Sequence, residues 1–90
     1  MDPSTRTATW FGAPLELTTR EYDLLAFLAR NPNHVFSRDE LVSSVWGEDF
    51  EGEEHTVTVH IRRLRAKLEP EPSNPQYLKT IWGVGYSFAP

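Results

Sequence analysis

Residues 55–68 read HTVTVHIRRLRAKL and contain the clearest structural pattern of the sequence. Its apolar residues recur at i, i+4, i+7 and i+11, the spacing that places side chains on one side of an α-helix. They are Val57, Ile61, Leu64 and Leu68. The spacing predicts a helix that begins near Glu54, ends before Pro70 and buries this apolar stripe against the rest of the domain.

The side of this helix opposite the apolar stripe is basic. Residues 55–68 hold four Lys or Arg and no acid, whereas residues 39–54 hold seven acids and no base, so the net charge of −4 conceals a local segregation. Neither Arg62 nor Arg63 has an acidic residue four positions before or after it. Guanidinium groups without an acidic partner favour the binding of an external polyanion such as DNA. The simpler alternative is that these arginines form a solvated charged face without a ligand.

Two capping boxes, at residues 18–21 and 37–40, predict the starts of two earlier helices. The Asn-Pro-Asn of residues 31–33 predicts the end of the first helix, and a left-handed Gly47 predicts the end of the second. The second helix is expected to bury Leu41, Val42, Val45 and Trp46.

Both ends of the chain are predicted to form β-hairpins. Residues 7–10 and 15–17 are rich in strand formers and flank a turn that contains Gly and Pro. Residues 77–81 and 86–88 alternate apolar and polar side chains on either side of the Gly-Val-Gly at 83–85. We therefore expect an antiparallel pair at each end.

The element order predicts one α+β domain over residues 1–90, with three helices between a short N-terminal antiparallel hairpin and a C-terminal β-hairpin. Residues 34–36 can add an edge strand, and the second and third helices are candidates for a helix-turn-helix. The absence of cysteine excludes disulfides and thiolate metal sites and favours a reducing, cytoplasmic location. No apolar run approaches the roughly 20 residues that span a bilayer.

Five motifs within residues 15–88 follow one known pattern. They are residues 17–25 (LTTREYDLL), 36–41 (FSRDEL), 45–47 (VWG), 56–69 (TVTVHIRRLRAKLE) and 80–86 (TIWGVGY). Together they resemble the winged-helix DNA-binding effector domain of OmpR/PhoB-type response regulators, the output half of bacterial two-component systems. The resemblance implies a third helix in the major groove of double-stranded DNA and a C-terminal hairpin, the wing, at the neighbouring minor groove.

Site residues are carried over from this resemblance position by position. Base contacts are implied for Arg63 as the principal reader, for Val59 on a thymine methyl and for Thr58, which stands where some relatives have aspartate. DNA backbone contacts are implied for Trp46, His55, Thr56, His60, Arg62, Arg65, Thr80 and Tyr86. The wing itself comprises Trp82, Gly83 and Gly85, and Trp82 cannot supply the arginine that enters the minor groove in some relatives.

The resemblance also implies partners. Sites of this family are typically direct repeats, which implies a monomer in isolation and a head-to-tail dimer on DNA. The acidic loop is either a surface for RNA polymerase or a solubilising segment that repels DNA; its acids are Glu48, Asp49, Glu51 and Glu53. The family usually opens with a four-stranded sheet and follows a receiver domain that carries the phosphoacceptor aspartate. We expect only part of that sheet within this sequence, and no receiver domain.

The sequence shows no arrangement of residues that indicates metal binding or catalysis. His55 and His60 are five positions apart, which separates them by about 140° on a helix and prevents a shared metal. No catalytic residues, metal or cofactor are expected, so the chain is not expected to be an enzyme. Two alternatives stay open: a winged-helix module for protein–protein contact through the acidic loop, and the same DNA-binding domain attached to a sensor other than a receiver.

Overall fold

A computed structural model describes residues 5, 7–47, 50 and 55–90. Its elements, in chain order, are β1 (Ala8–Trp10), β2 (Ala13–Leu15), α1 (Thr19–Arg30), α2 (Arg38–Leu41) with a π-helical continuation (Val42–Trp46), α3 (His55–Leu68), β3 (Leu78–Ile81) and β4 (Gly85–Phe88). β1 pairs with β2 and β3 with β4, both antiparallel. The predicted α+β arrangement of three helices and two hairpins is confirmed.

The apolar stripe of α3 forms the centre of the core, as predicted. Val57, Ile61 and Leu64 have no exposed surface. Full burial of such a side chain contributes about 1.5–3 kcal/mol, so the stripe fixes which side of α3 faces inward. The stripe packs with buried side chains from α1, α2 and the wing, namely Leu24, Leu25, Leu28, Phe36, Leu41, Leu78, Tyr86 and Phe88.

Both predicted capping boxes form. At α1 the Thr18 hydroxyl accepts from the Glu21 amide at 3.2 Å, and the Glu21 carboxylate accepts from the Thr18 amide at 3.0 Å. The same reciprocal pair joins Ser37 and Glu40 at 3.1 and 3.0 Å. These side chains satisfy amides that a helix start leaves without partners, so both starts lie where the sequence predicts.

The second helix differs from the prediction after its first turn. It is α-helical only through Leu41 and then widens into the π-helical continuation, with the Gly47 amide donating to the Val42 carbonyl at 2.9 Å. The Arg20 guanidinium donates to the Val45 carbonyl at 2.6 Å and so satisfies one acceptor of this wider turn. Gly47 ends the segment with φ of +102°, as predicted.

This widening explains one wrong expectation about the core. Of the four side chains expected to be buried, only Leu41 is; Val42, Val45 and Trp46 are half-buried and pack against the core from its edge. A wider turn rotates its residues away from the positions that 3.6 residues per turn would give them.

The N-terminal turn is shorter than predicted. Strand β2 already begins at Ala13, and Phe11 and Gly12 alone form the turn, with φ of +50° and +81°. Positive φ at both positions is the type I′ geometry that matches the twist of two antiparallel strands. This turn type could not be predicted, because a phenylalanine at positive φ is uncommon.

The predicted edge strand at residues 34–36 reduces to a single bridge. Phe36 and Tyr86 exchange two backbone hydrogen bonds of 2.9 Å, which fasten the segment before α2 to β4. Gly85 makes this approach possible, because a Cβ there would lie 1.9 Å from the Phe36 carbonyl oxygen. The bridge fixes the position of the wing relative to α2.

Candidate nucleic-acid interface

The outer face of α3 presents two adjacent arginines to solvent. Arg62 and Arg63 are both exposed, and within the described residues no carboxylate pairs with either guanidinium. The last positively charged residue of the helix, Lys67, is bound at 2.5 Å to the buried Glu21 carboxylate. The free positive charge of α3 is therefore concentrated in the middle of the helix.

Thr58 and Val59 flank these arginines one turn earlier. Both are half-buried, and the Thr58 hydroxyl lies 3.3 Å from the Tyr86 hydroxyl, so that it joins α3 to the wing. Val59 keeps part of its branched apolar side chain exposed on the arginine side. Val59 and Arg63, four positions apart, therefore lie on one side of α3, whereas Thr58 lies about 140° from Arg63 around the helix and faces the wing.

A second group of predicted contacts meets at the junction of α3 with the end of the second helix. The His60 Nδ1 atom lies 2.8 Å from the Thr56 carbonyl oxygen, and the Trp46 ring contacts the His60 ring edge-on at 5.1 Å. Because a carbonyl only accepts, Nδ1 donates and Nε2 is left for an outside partner. The Arg20 guanidinium lies 5.5 Å from the centre of the Trp46 ring, so the tryptophan contacts both Arg20 and His60.

Among the predicted contact residues, Arg65 differs most from expectation. The resemblance implied that it faces outward and contacts the DNA phosphates. Its Nε and Nη2 donate to the Leu78 carbonyl at 3.0 and 2.8 Å, and Nη2 also donates to the Thr80 hydroxyl at 2.7 Å. Burial lowers the pKa of the Arg65 guanidinium, and the nearby Tyr86 and Glu69 partly oppose that shift. Most of its hydrogen-bonding capacity fastens α3 to β3.

Glu69 provides a second connection that the sequence analysis did not identify. Its buried carboxylate accepts from three successive backbone amides, of Gln76 at 2.7 Å, Tyr77 at 3.0 Å and Leu78 at 2.8 Å. A glutamate directly after a helix C-terminus is unfavourable for the helix dipole, and that anomaly was the available signal. Arg65 and Glu69 together fix the wing at one angle to α3.

A concave surface of about 420 Å³ lies between α3, α2 and the wing. Its lining comprises Arg38, Thr58, Thr80, Ile81, Trp82, Gly83, Val84, Gly85 and Tyr86. The predicted wing residues thus share one surface with the first turns of α3. At its rim the Trp82 side chain is 89% exposed.

Other predicted features lie outside this surface or outside the described residues. His55 is exposed at the start of α3. The acidic-loop residues Glu48, Asp49, Glu51 and Glu53 lie outside the described residues. Among the residues described, no group of three or more His, Asp or Glu is arranged to hold a metal ion, and no helix combines the length and apolarity that crossing a membrane requires.

The architecture defines a winged helix: a helix with an exposed basic face, fastened to a C-terminal β-hairpin. Residues 12–88 match the family model described as "Transcriptional regulatory protein, C terminal". The chain belongs to this family, the OmpR/PhoB-type DNA-binding domains of transcription regulators.

Individual relatives agree with this assignment. The chain is 49% identical over 89 residues to the transcriptional regulatory protein YclJ of Bacillus subtilis, covering 98% of this chain and 38% of YclJ. The response regulator DrrB of Thermotoga maritima superposes with a TM-score of 0.90 at 34% identity, covering 100% of this chain and 41% of DrrB. The RstA DNA-binding domain of Klebsiella pneumoniae, solved in complex with the RstA box, superposes with a TM-score of 0.86 at 34% identity, covering 98% and 87%.

Proposed function

We propose that the chain binds double-stranded DNA sequence-specifically, with α3 in the major groove. The observation that carries the proposal is the exposed pair Arg62 and Arg63, which no described carboxylate neutralises, on a helix whose opposite face is locked into the core. A major groove about 12 Å wide admits one α-helix, and its walls are lined with phosphate charge. The RstA complex supports the same partner class.

Roles within the interface follow from chemistry and position. Arg63 reads guanine through its two-pronged guanidinium, while Val59 packs on a thymine methyl and Thr58 lies at the edge of the base-reading surface. Arg62 binds phosphate and positions the helix without reading sequence. His60 and the Thr80 hydroxyl are further phosphate contacts, together with Trp46, His55, Thr56 and Tyr86. For Arg65 we propose support of the wing as its main role.

The role of this domain within a longer regulator is also a proposal. The chain spans about 38% of the length of YclJ. We propose that it is the output domain of a phosphorylation-controlled response regulator that acts in the cytoplasm, by binding rather than by catalysis. Residues 1–90 would form one domain of that regulator, which binds direct-repeat half-sites as a head-to-tail dimer and engages RNA polymerase through the acidic loop.

Selection from a pool of random duplexes tests the proposal. We expect one enriched half-site motif, and the affinity for it to fall with salt at a slope of log K against log salt of about −4 to −5, as neutralising roughly four to six phosphates requires. Arg62→Ala should weaken binding to all duplexes alike and reduce that slope by about 1.

Arg30→Ala is the matched control, because Arg30 is an exposed arginine at the end of α1 and not on α3. It should bind like the wild type. Failure to enrich any motif, or a loss in Arg30→Ala equal to that in Arg62→Ala, would contradict the proposal.

A further inference from the structure

His60 of α3 has one ring nitrogen that the fold uses and one that it leaves open. The Nδ1 atom lies 2.8 Å from the Thr56 carbonyl oxygen. Within the part of the chain that the structure describes, Nε2 has no hydrogen-bond partner, and no buried side-chain nitrogen or oxygen is without one. Nε2 is therefore in contact with solvent, at the surface of a half-buried side chain.

The position of His60 on α3 places it on a flank of the helix. An α-helix with its side chains is about 10–12 Å across, close to the width of the major groove, so flanking side chains meet the phosphates that line the groove. His60 is three positions before Arg63 and lies about 60° from it around the helix, towards the buried side. Lys67 lies on the same flank, but the Glu21 carboxylate binds its ammonium group. His60 thus has an open hydrogen-bonding position where a phosphate is expected.

The bond to Thr56 determines what Nε2 can do. A carbonyl oxygen only accepts, so Nδ1 carries a hydrogen and donates it. In a neutral imidazole the other nitrogen is then an acceptor, and it cannot bond to a DNA phosphate, whose oxygens also only accept. In the protonated ring both nitrogens donate, and Nε2–H can form a charge-assisted bond to phosphate. A phosphate contact at this ring therefore requires one proton more than the neutral ring carries.

The charged groups that face this ring or lie beside it carry one negative and three positive charges. With the aromatic ring between them, they are Glu21 and Arg20 of α1, Trp46 of the second helix, and Arg63 and Lys67 of α3. Glu21 interacts electrostatically with His60, but its carboxylate is already bonded to Lys67. Arg20 contacts the same Trp46 ring that His60 contacts. A DNA phosphate therefore brings the negative charge without a partner that stabilises a protonated ring.

We propose that His60 binds a DNA phosphate only as an imidazolium, so that the chain takes up a proton from solvent when it binds DNA, an inference that rests on the proposed function. Binding that takes up a proton becomes weaker as the pH rises. Between pH 6 and pH 8, the range in which histidine side chains change charge, the affinity for DNA should fall about five- to twentyfold. That factor is what one charge-assisted hydrogen bond implies.

The affinity for the enriched duplex, measured at constant ionic strength between pH 6 and pH 8, tests the inference. His60→Gln keeps a side chain that can donate to phosphate but carries no titrating charge, so its affinity should not change with pH. His60→Lys keeps a positive charge throughout this range and should also be independent of pH. Calorimetric titrations near pH 7.5, in buffers of different ionisation enthalpy, should show that the wild type takes up about 0.5–0.8 proton and His60→Gln close to none.

The other two histidines of the chain provide matched controls. His34→Gln changes an exposed histidine outside α3 and should leave both the affinity and its pH dependence unchanged. His55→Gln changes the histidine at the start of α3 and should retain the pH dependence, whatever its effect on affinity. Circular dichroism of each variant at pH 6 and pH 8 should show the same folded state.

Three results would overturn the inference: a wild-type affinity that does not change between pH 6 and pH 8, a pH dependence that persists in His60→Gln, or one that disappears in His55→Gln. If the wild type binds no duplex at either pH, the proposed function itself fails. If it binds with the expected salt dependence but takes up no proton, only the inference about His60 fails.

Discussion

A methyl group added at Gly85 would lie 1.9 Å from the Phe36 carbonyl oxygen, 2.6 Å from its carbonyl carbon and 2.9 Å from the Ser37 Cα atom. All three atoms belong to the backbone, so no side-chain rotation can relieve the clash. The segment before α2 must move away from β4 by more than an ångström. The two 2.9 Å bonds between Phe36 and Tyr86 would then break.

The expected destabilisation by Gly85→Ala follows from the lost hydrogen bonds and packing. Two backbone hydrogen bonds contribute about 1–3 kcal/mol together, and displacing the buried Phe36 ring adds about 1–2 kcal/mol of lost packing. We expect Gly85→Ala to lower the free energy of unfolding by about 3–4 kcal/mol, out of the roughly 5–13 kcal/mol typical of a 90-residue domain. The melting temperature should fall by about 12–25 °C.

Gly83→Ala is the matched control. It adds the same methyl group two residues earlier, where no atom lies within 4 Å, and it strains only the backbone at φ of +79°. Its cost should be about 1 kcal/mol. Urea and thermal unfolding monitored by circular dichroism measure both variants. Equal destabilisation of the two variants, or a Gly85→Ala cost below about 1 kcal/mol, would refute this reasoning about the Phe36 bridge.

Further changes test the other contacts that position the interface. Glu69→Gln should cost about 1–3 kcal/mol in urea unfolding, because it replaces one of the two accepting oxygens with an NH2 group that cannot accept from the backbone amides of residues 76–78. An unchanged midpoint would speak against that role. Trp10→Phe removes the 2.9 Å bond from the indole Nε1 to the Leu68 carbonyl and should lower stability by about 1 kcal/mol, whereas an unaltered thermal midpoint would show that the bond is immaterial. Burial raises the pKa of Glu21, but hydrogen bonds from Lys67 and the Thr18 amide outweigh it, so the pKa lies below 4.5. The stabilisation from ionised Glu21 is present above about pH 4.5 and is lost as the pH falls through the folded-state pKa. Glu21→Gln should therefore make the free energy of unfolding fall less steeply with pH on the acid side. An unchanged slope there would exclude the Glu21 contribution.

Local patterns explain how much of the fold could be predicted from the sequence. Capping boxes act over three residues and the α3 stripe over one helix, so both can be identified without tertiary information, and both are confirmed. The π-helical continuation could not be identified in this way, because it involves a tertiary contact: Arg20 donates to the Val45 carbonyl, 25 positions later in the chain. The positive φ of Phe11 likewise belongs to the pairing of β1 with β2, which no single residue predicts.

Some features of the candidate site could likewise be predicted from the sequence, and others could not. Exposure of Arg62 and Arg63 follows from the angle that separates them from the apolar stripe. Arg65 has the same side chain and lies on the flank of the same helix, yet it bonds to a carbonyl 13 positions later in β3. Helical position alone cannot distinguish an arginine that faces solvent from one that supports the wing, since the difference depends on where a later strand lies.

The affinity of Arg63→Ala for systematically permuted half-sites tests whether an exposed, unpaired arginine of α3 reads a base while its neighbour binds phosphate. We expect wild type to prefer guanine at one base pair by about 1–3 kcal/mol and Arg63→Ala to lose that preference there while keeping the others. An equal loss across all permutations, or full retention of the guanine preference, would contradict the account.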